Sequence, residues 1–174
     1  MNNWIPIIEA YRARRPSYFA TPPVQLIFAL GAAIQNHVLT PKHGPEGRYL
    51  LTLRAANSFR AAVKALGLSL VAANEQHAAN TLSAIRFPSG VDGPKLIGAI
   101  KAHNIVVAGG LHRDIKAQYF RVGHMGVSVD EPLHLRATVT AIEQGLIAQG
   151  LPIPPGAGVA AFDAVWSSSL VANL

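Results

Sequence analysis

Helical spacing of apolar residues is the feature that most limits what this chain can fold into. The spacing recurs in three stretches, near residues 45–66, 93–103 and 131–149. Between them lie short segments of extended character, at residues 68–73, 81–87, 105–110 and 118–123, and the last alternates apolar with polar side chains. The pattern predicts an α+β domain with a small, mostly antiparallel sheet covered on one face by these helices.

The chain is more apolar than a small independent domain needs to be. Its 174 residues are 50% hydrophobic and 14% charged, with a mean hydropathy of +0.26. We therefore expect part of the apolar surface to meet a partner chain or another domain. No apolar run reaches the roughly 18 residues of a membrane span, and the N-terminus lacks the order of a signal peptide. Since the sequence also has no cysteine, we expect an intracellular protein that contacts no membrane.

Positive charge is in excess, but its distribution does not favour a nucleic-acid partner. The net charge is +6 and the sequence pI is near 10.1. Only Arg12, Arg14 and Arg15 form a dense group, and no aromatic residues alternate with a basic stripe. A site for small acids or phosphates explains the excess at least as well.

Two hydroxyl groups stand just ahead of a helix that begins with prolines. Tyr18 and Thr21 follow the arginine group and precede Pro22 and Pro23. Hydroxyl and guanidinium groups in this arrangement suit an anion, and phosphate in particular. The alternative is that Thr21 is the N-cap of a helix whose first turn holds both prolines. That alternative leaves Tyr18 and the arginines unexplained.

A second candidate site is an arginine in a short apolar strand. Alternation places Arg121 on the face opposite Phe120 and Val122. Such a residue must leave the core or find an anion, and its planar guanidinium group matches a carboxylate. The alternative is an internal ion pair with Asp114 or Asp130, and the pattern does not choose between the two.

Two histidines, His112 and His124, lie in loops on either side of the same strand and could approach each other. No pattern of acidic partners supports a metal there, so hydrogen-bonded loop histidines are favoured and no metal is expected. The sequence also contains no Walker A loop and no Gly-x-Ser-x-Gly motif.

Three stretches carry a resemblance to a known family: "YFATPPVQLIFAL", "ANTLSAIRFPSGVD" and "GGLHRDIKAQYFRVGHMGVSVDE". In this order they resemble the C-terminal part of class V, fold-type I aminotransferases of the fungal alanine–glyoxylate type, which use pyridoxal phosphate (PLP). The resemblance runs from "NNWIPIIEAY" to the last long helix and so covers nearly the whole chain. It implies the fold of the family's small C-terminal domain, in a cytoplasmic, peroxisomal or mitochondrial protein.

The resemblance also implies roles for particular residues. Tyr18 and Thr21 match the positions that bind the PLP phosphate of the neighbouring subunit in a homodimer. Arg121 matches the residue that holds the α-carboxylate of the amino or keto acid substrate. Gly109 and Gly110 match a loop that lets the small domain close near the substrate.

The family's large domain has no counterpart in this sequence. The resemblance divides the chain into a helical inter-domain and dimer-contact segment (1–38), the small α+β domain (39–150), and a linker and tail (151–174). None of the lysines lies in a stretch like the one that carries the family's Schiff-base lysine. We therefore expect a fragment or half of a transaminase that does not bind PLP covalently by itself. Its partner would be a second copy or a separate PLP-binding half.

Two alternatives remain open at the level of sequence. The first is a free-standing, repurposed domain that binds a small carboxylate at Arg121 and performs PLP-independent chemistry. In that case His112, His124 or Tyr119 would act as acid and base. The second is a non-catalytic interaction module that dimerises through exposed apolar surface.

Overall fold

The computed structural model describes residues 4–18, 20–39 and 44–168. The chain divides into two units, the first within residues 1–40 and the second within 41–174. Within the described ranges, no helix combines the length and apolar character needed to cross a membrane.

The first unit contains two helices, α1 (Ile5–Arg12) and α2 (Val24–His37). Pro6 lies in the first turn of α1, where a missing N–H group removes no helical hydrogen bond. Neither helix has a buried residue. The described residues of the first unit therefore form no hydrophobic core of their own.

The start of α2 shows that the expected N-cap role of Thr21 is wrong. Pro23 occupies the N-cap position, and no side chain caps the helix. A residue that precedes a proline avoids the helical region, so Pro22 does not join the helix and α2 begins only after Pro23. Thr21 is too far upstream to serve as the cap, and its hydroxyl is bonded to Tyr18 instead.

The described residues of the second unit, 44–168, form four helices and three strands. The helices are α3 (Gly44–Ala65), α4 (Gly93–Ala102), α5 (Leu133–Ile147) and α6 (Ala157–Ser168). The strands are β1 (Leu82–Arg86), β2 (Ala108–Gly109) and β3 (Tyr119–Gly123). Three short 3₁₀ turns lie at Glu75–His77, Lys116–Gln118 and Gly126–Val129. The α+β class, the helices α3, α4 and α5, and the strands β1 and β3 confirm the prediction from spacing.

The sheet is antiparallel throughout, with β3 between β1 and β2. Ile85 of β1 lies opposite Phe120 of β3. Leu70 adds an isolated antiparallel bridge to Ile85 beyond the β1 edge. β2 is shorter than the apolar run before it suggests, because only Ala108 and Gly109 pair with β3.

The core of the second unit lies between one face of the sheet and the helices. Ile85 and Phe120 point into it from the sheet, and Phe59 of α3 and Ile142 of α5 meet them from the helices. All four side chains are buried. Side chains alternate between the two faces of the sheet along β1 and β3. The neighbours of Ile85 and Phe120 in these strands therefore lie on the opposite, open face.

Helix α6, in the C-terminal stretch 151–174, is part of this core. Phe162 is fully buried and stacks with Trp166 at a centroid distance of 5.5 Å. The buried carboxylate of Glu143 accepts hydrogen bonds from the backbone N–H groups of Gly156 (2.5 Å) and Gly158 (2.8 Å). An acidic group at this position stabilises the N-terminal end of α6.

Candidate functional site

In the first unit, Tyr18 and Thr21 present two hydroxyl groups side by side. Tyr18 Oη and Thr21 Oγ1 share a hydrogen bond of 2.5 Å, and the Tyr18 side chain is 80% exposed. Arg14 and Arg15, just ahead of them, are also exposed. One hydroxyl proton is used in this hydrogen bond and the other is free to donate, so both hydroxyls can donate to the same anion once the bond between them opens.

In the second unit, Arg121 stands on the open face of the sheet between two small neighbours. The strand register places Ala84 of β1 and Ala108 of β2 directly opposite it. Neither alanine is large enough to cover the guanidinium group. The sequence did not indicate this open space around the guanidinium group, because it depends on how the strands pair.

The guanidinium group of Arg121 is held at one nitrogen only. Its Nε donates to the carbonyl oxygen of Gly109 at 2.8 Å. Among the described residues, its two terminal nitrogens make no hydrogen bond and no ion pair. Asp114 instead pairs with Arg113 at 3.3 Å, and Asp130 pairs with Arg48. The ion pair of Arg121 with Asp114 or Asp130, which the sequence left open, is thus not formed.

The loop after β2 is attached to the same strand through Tyr119. Tyr119 Oη accepts hydrogen bonds from the backbone N–H groups of Leu111 (2.9 Å) and His112 (3.1 Å). These N–H groups, first His112 and then Leu111, lower the pKa of the Tyr119 phenol, and the charge of Arg121 adds to the effect while burial opposes it. Sequence reasoning considered Tyr119 only as an acid or base and missed its function as an acceptor for this loop.

The two glycines at the start of the loop, Gly109 and Gly110, have different roles. A Cβ atom on Gly110 would lie 2.5 Å from the carbonyl oxygen of Lys116 and 2.6 Å from a ring carbon of Tyr119, which is too close for any side chain. Gly109 has open space around it and supplies the carbonyl that holds Arg121. The pair therefore lets the loop pack on Tyr119 and orient Arg121 at the same time.

The two candidate histidines lie in different environments. His112 is exposed, and its Nδ1 accepts a long hydrogen bond from the Asp114 N–H at 3.3 Å. His124 is fully buried beside Phe59, with a ring centroid distance of 5.6 Å. Within the part of the chain that the structure describes, no group of three or more metal-ligating side chains occurs.

Both ring nitrogens of His124 are engaged in the core. Nδ1 lies 3.0 Å from the carbonyl oxygen of Asn80, so in the neutral ring it carries the proton. Nε2 then accepts from the Ser83 hydroxyl, also at 3.0 Å. Burial lowers the pKa of His124 to about 4, so the ring is neutral at neutral pH.

The structure thus brings Arg121, Gly109, Gly110, Tyr119 and His112 together around β3 and the loop after β2. His124 lies in the core below the sheet and does not reach the open face. Tyr18 and Thr21 belong to the first unit. The arrangement around Arg121 can hold a small carboxylate by paired hydrogen bonds from its terminal nitrogens.

Comparison with known proteins relates the chain to aminotransferases. It is 37% identical over 130 residues to alanine–glyoxylate aminotransferase 1 of Saccharomyces cerevisiae, covering 74% of this chain and 32% of that protein. It is 33% identical over 157 residues to pyridoxamine–pyruvate transaminase of Mesorhizobium japonicum, covering 90% of this chain and 39% of that protein. No family model matches the chain.

A solved structure shares the fold. The crystal structure of pyridoxamine–pyruvate aminotransferase from Mesorhizobium loti matches 89% of this chain and 38% of its own, with a TM-score of 0.75 and 30% identity. The chain therefore spans only about a third of the length of the relatives it matches. A free-standing domain with its own chemistry, or a purely interacting module, receives no support from these relatives.

Proposed function

This chain belongs to the class V, fold-type I aminotransferase family as a relative of its C-terminal domain, and we propose that it binds the substrate carboxylate in a PLP-dependent transamination. The substrate class is a small amino or keto acid. The observation that supports this is Arg121, whose terminal guanidinium nitrogens have no partner among the described residues while its Nε is fixed.

The hydrogen bond to Gly109 gives Arg121 its specificity for a carboxylate. With Nε occupied, the two terminal nitrogens form the free edge of the guanidinium group, and two parallel N–H donors match the two oxygens of a carboxylate. Ala84 and Ala108 leave the space above the strand open for the ligand. Tyr119 supports this geometry because its hydroxyl holds the loop that follows Gly109.

The hydroxyl groups of the first unit suit the phosphate group of PLP, the cofactor of the family. Tyr18 and Thr21 offer two exposed hydroxyl donors, and we assign them to the PLP phosphate held by a partner. When bound, PLP supplies an electron sink for the bond that breaks at the substrate α-carbon. The partner in this proposal is a second copy of the chain in a homodimer or a separate PLP-binding half. Only the separate half would supply the lysine that binds PLP covalently, because a second copy of this chain has no lysine in a stretch of that kind.

The test is carboxylate binding by the 174-residue chain. We expect pyruvate, titrated at constant ionic strength, to shift the amide NMR signals of residues 119–123 and of Gly109. Arg121→Ala removes a charge-assisted pair and should weaken binding by about 2–4 kcal/mol. Arg121→Lys should restore only part of the affinity, because an ammonium group lacks the planar pair of donors.

Arg113→Ala is the matched control, since it removes the same charge from a side chain that is 91% exposed. It should leave pyruvate affinity unchanged. Equal affinity of the wild-type chain and Arg121→Ala would rule out the assignment of the carboxylate to Arg121.

A further inference from the structure

The second unit has a cleft that the carboxylate site does not use. It has a volume of about 480 Å³ and lies between the C-terminal end of α3 and residues 68–75. This volume is in the range of pockets that hold small metabolites. Arg121 does not line it.

The walls of the cleft combine an apolar surface with an excess of positive charge. Val63, Leu68 and Leu70 contribute to the apolar part. The charged residues that line it are Arg60, Lys64, Arg86 and Glu75. Three cations against one carboxylate leave a net charge of two positive units at the cleft.

The charge of Arg60 is held only by neutral groups. Arg60 is 7% exposed, and it donates to the side-chain oxygens of Asn57 (2.8 Å) and Asn80 (3.3 Å) and to the carbonyl oxygen of Ala79 (3.3 Å). Burial lowers its pKa, and only the more distant charge of Glu75 acts in the opposite direction. Neutral acceptors satisfy the N–H groups without cancelling the charge, so a positive potential remains in the cleft.

The other two cations differ in their partners. Lys64 Nζ forms an ion pair with Glu75 at 2.7 Å, and both side chains are largely exposed. The guanidinium group of Arg86 makes no hydrogen bond and no ion pair within the described part of the chain. Arg86 is thus the cation at the cleft that is available to a ligand without breaking an existing contact.

From these contacts we propose that the cleft binds a small organic dianion, a phosphate monoester or a dicarboxylate, with an apolar body. Arg86 provides the direct charge-assisted hydrogen bonds to the anionic group. Arg60 and Lys64 contribute through their charge, and the apolar wall contacts the body of the ligand. Two negative charges on the ligand match the net charge of the cleft.

The experiment measures binding of phenyl phosphate to the 174-residue chain by calorimetry at constant ionic strength. We expect saturable binding that Arg86→Ala weakens by about tenfold or more, since a charge-assisted hydrogen bond is lost. Glu75→Gln should tighten binding by about two- to fivefold, because it removes the only carboxylate among the described residues that line the cleft. The Glu75 variant tests the proposal even where substitution of Arg86 impairs folding.

Titration of two further ligands defines the chemical class of the dianion. Inorganic phosphate lacks the apolar body and should bind more weakly than phenyl phosphate. Benzene-1,3-dicarboxylate keeps the ring and the two charges. Binding of phenyl phosphate alone identifies the ligand class as a phosphate monoester, and binding of the dicarboxylate alone identifies a dicarboxylate.

Two control variants separate binding in the cleft from binding elsewhere on the chain. Lys101→Ala removes one exposed charge from α4 and should change the affinity less than twofold. Arg121→Ala should also leave phenyl phosphate binding intact. The proposal is overturned if Lys101→Ala weakens binding as much as Arg86→Ala, if Arg121→Ala abolishes it, or if neither ring-containing dianion binds.

Discussion

The two units of the chain place their large apolar side chains in opposite environments. In α2 of the first unit, Leu26, Phe28 and Leu30 are 61–74% exposed. In the second unit, Phe59 and Phe120 are 0% exposed. The second unit thus has a core of its own, whereas the first unit has an apolar surface of the kind that a partner covers.

The polar groups follow the same division. The hydroxyls of Tyr18 and Thr21 in the first unit are bonded to each other at the surface. The second unit buries His124 and Glu143, and both have hydrogen-bond partners inside the fold. His124 and Glu143 therefore contribute to the stability of the second unit, whereas Tyr18 and Thr21 lie at the surface, open to solvent.

The same substitution in the two units should have very different effects on stability. Phe120→Ala empties a fully buried position that stacks on Phe87 at 5.4 Å, and should lower the free energy of unfolding by about 3–5 kcal/mol. Phe28→Ala removes a side chain that is 74% exposed and should change the unfolding free energy of the monomer by less than about 0.5 kcal/mol. Urea unfolding followed by circular dichroism measures both. Similar losses in the two variants would contradict the comparison.

The second unit should also lose stability in mild acid, through His124. Its pKa is lowered from 6.5 to about 4 in the folded state, so the unfolded chain takes up the proton first as the pH falls. His124 contributes about 3 kcal/mol to the free energy of unfolding through this shift in pKa. The contribution is complete above about pH 6.5 and is lost as the pH falls towards 4.

Unfolding by urea at several pH values between 7.5 and 4.5 tests this slope. His124→Gln should flatten the pH dependence of the unfolding free energy in this range. His112→Gln, which replaces an exposed histidine, should retain it. A slope of the same size in the His124 variant would assign the acid sensitivity to other groups.

The sequence was sufficient for those parts of the fold that depend on local spacing. Helical periodicity located α5, and alternation located β3 and the face on which Arg121 lies. It indicated a short strand over residues 105–110 but not that only Ala108 and Gly109 would pair, because an apolar run does not reveal which of its residues will find a strand partner. Nor did it predict the N-terminus of α2, where the second proline prevents the first from joining the helix.

The sequence predicted which residues belong to the candidate site, but not the hydrogen bonds that join them. The sequence singled out Arg121, Tyr119 and the double glycine separately. The hydrogen bonds that join them form between a strand and a loop that pack only in the folded chain. Likewise, no local pattern indicated that His124 is buried, because its burial depends on Phe59, 65 positions earlier in the sequence.

The exposed surface of α2 should mediate self-association. We expect the 174-residue chain to form a homodimer at micromolar concentration. Phe28→Asp should weaken the dimer by about 2 kcal/mol, the cost of losing a central aromatic contact. Val106→Asp places the same charge on a second-unit side chain that is 86% exposed and should leave the dimer intact. Light scattering coupled to gel filtration distinguishes these outcomes, and a monomeric wild-type chain would contradict the expectation.

The smallest expected effect comes from removing one tyrosine hydroxyl in each unit. Tyr119→Phe deprives the N–H groups of Leu111 and His112 of their acceptor and should lower the free energy of unfolding by about 1 kcal/mol. Tyr18→Phe removes a hydroxyl bonded only to Thr21 at the surface and should leave stability unchanged. Urea unfolding compares the two variants under identical conditions.

Two further measurements locate the effect of Tyr119 in the loop after β2. Amide hydrogen exchange at Leu111 and His112 should become faster in Tyr119→Phe and stay unchanged in Tyr18→Phe. Because the backbone donors lower the pKa of Tyr119, ultraviolet titration of Tyr119→Phe should also lose a tyrosine that ionises below the usual range. Unchanged exchange at both amides in Tyr119→Phe would mean that the loop is held without this hydroxyl. The orientation of Arg121 would then depend on its bond to Gly109 alone.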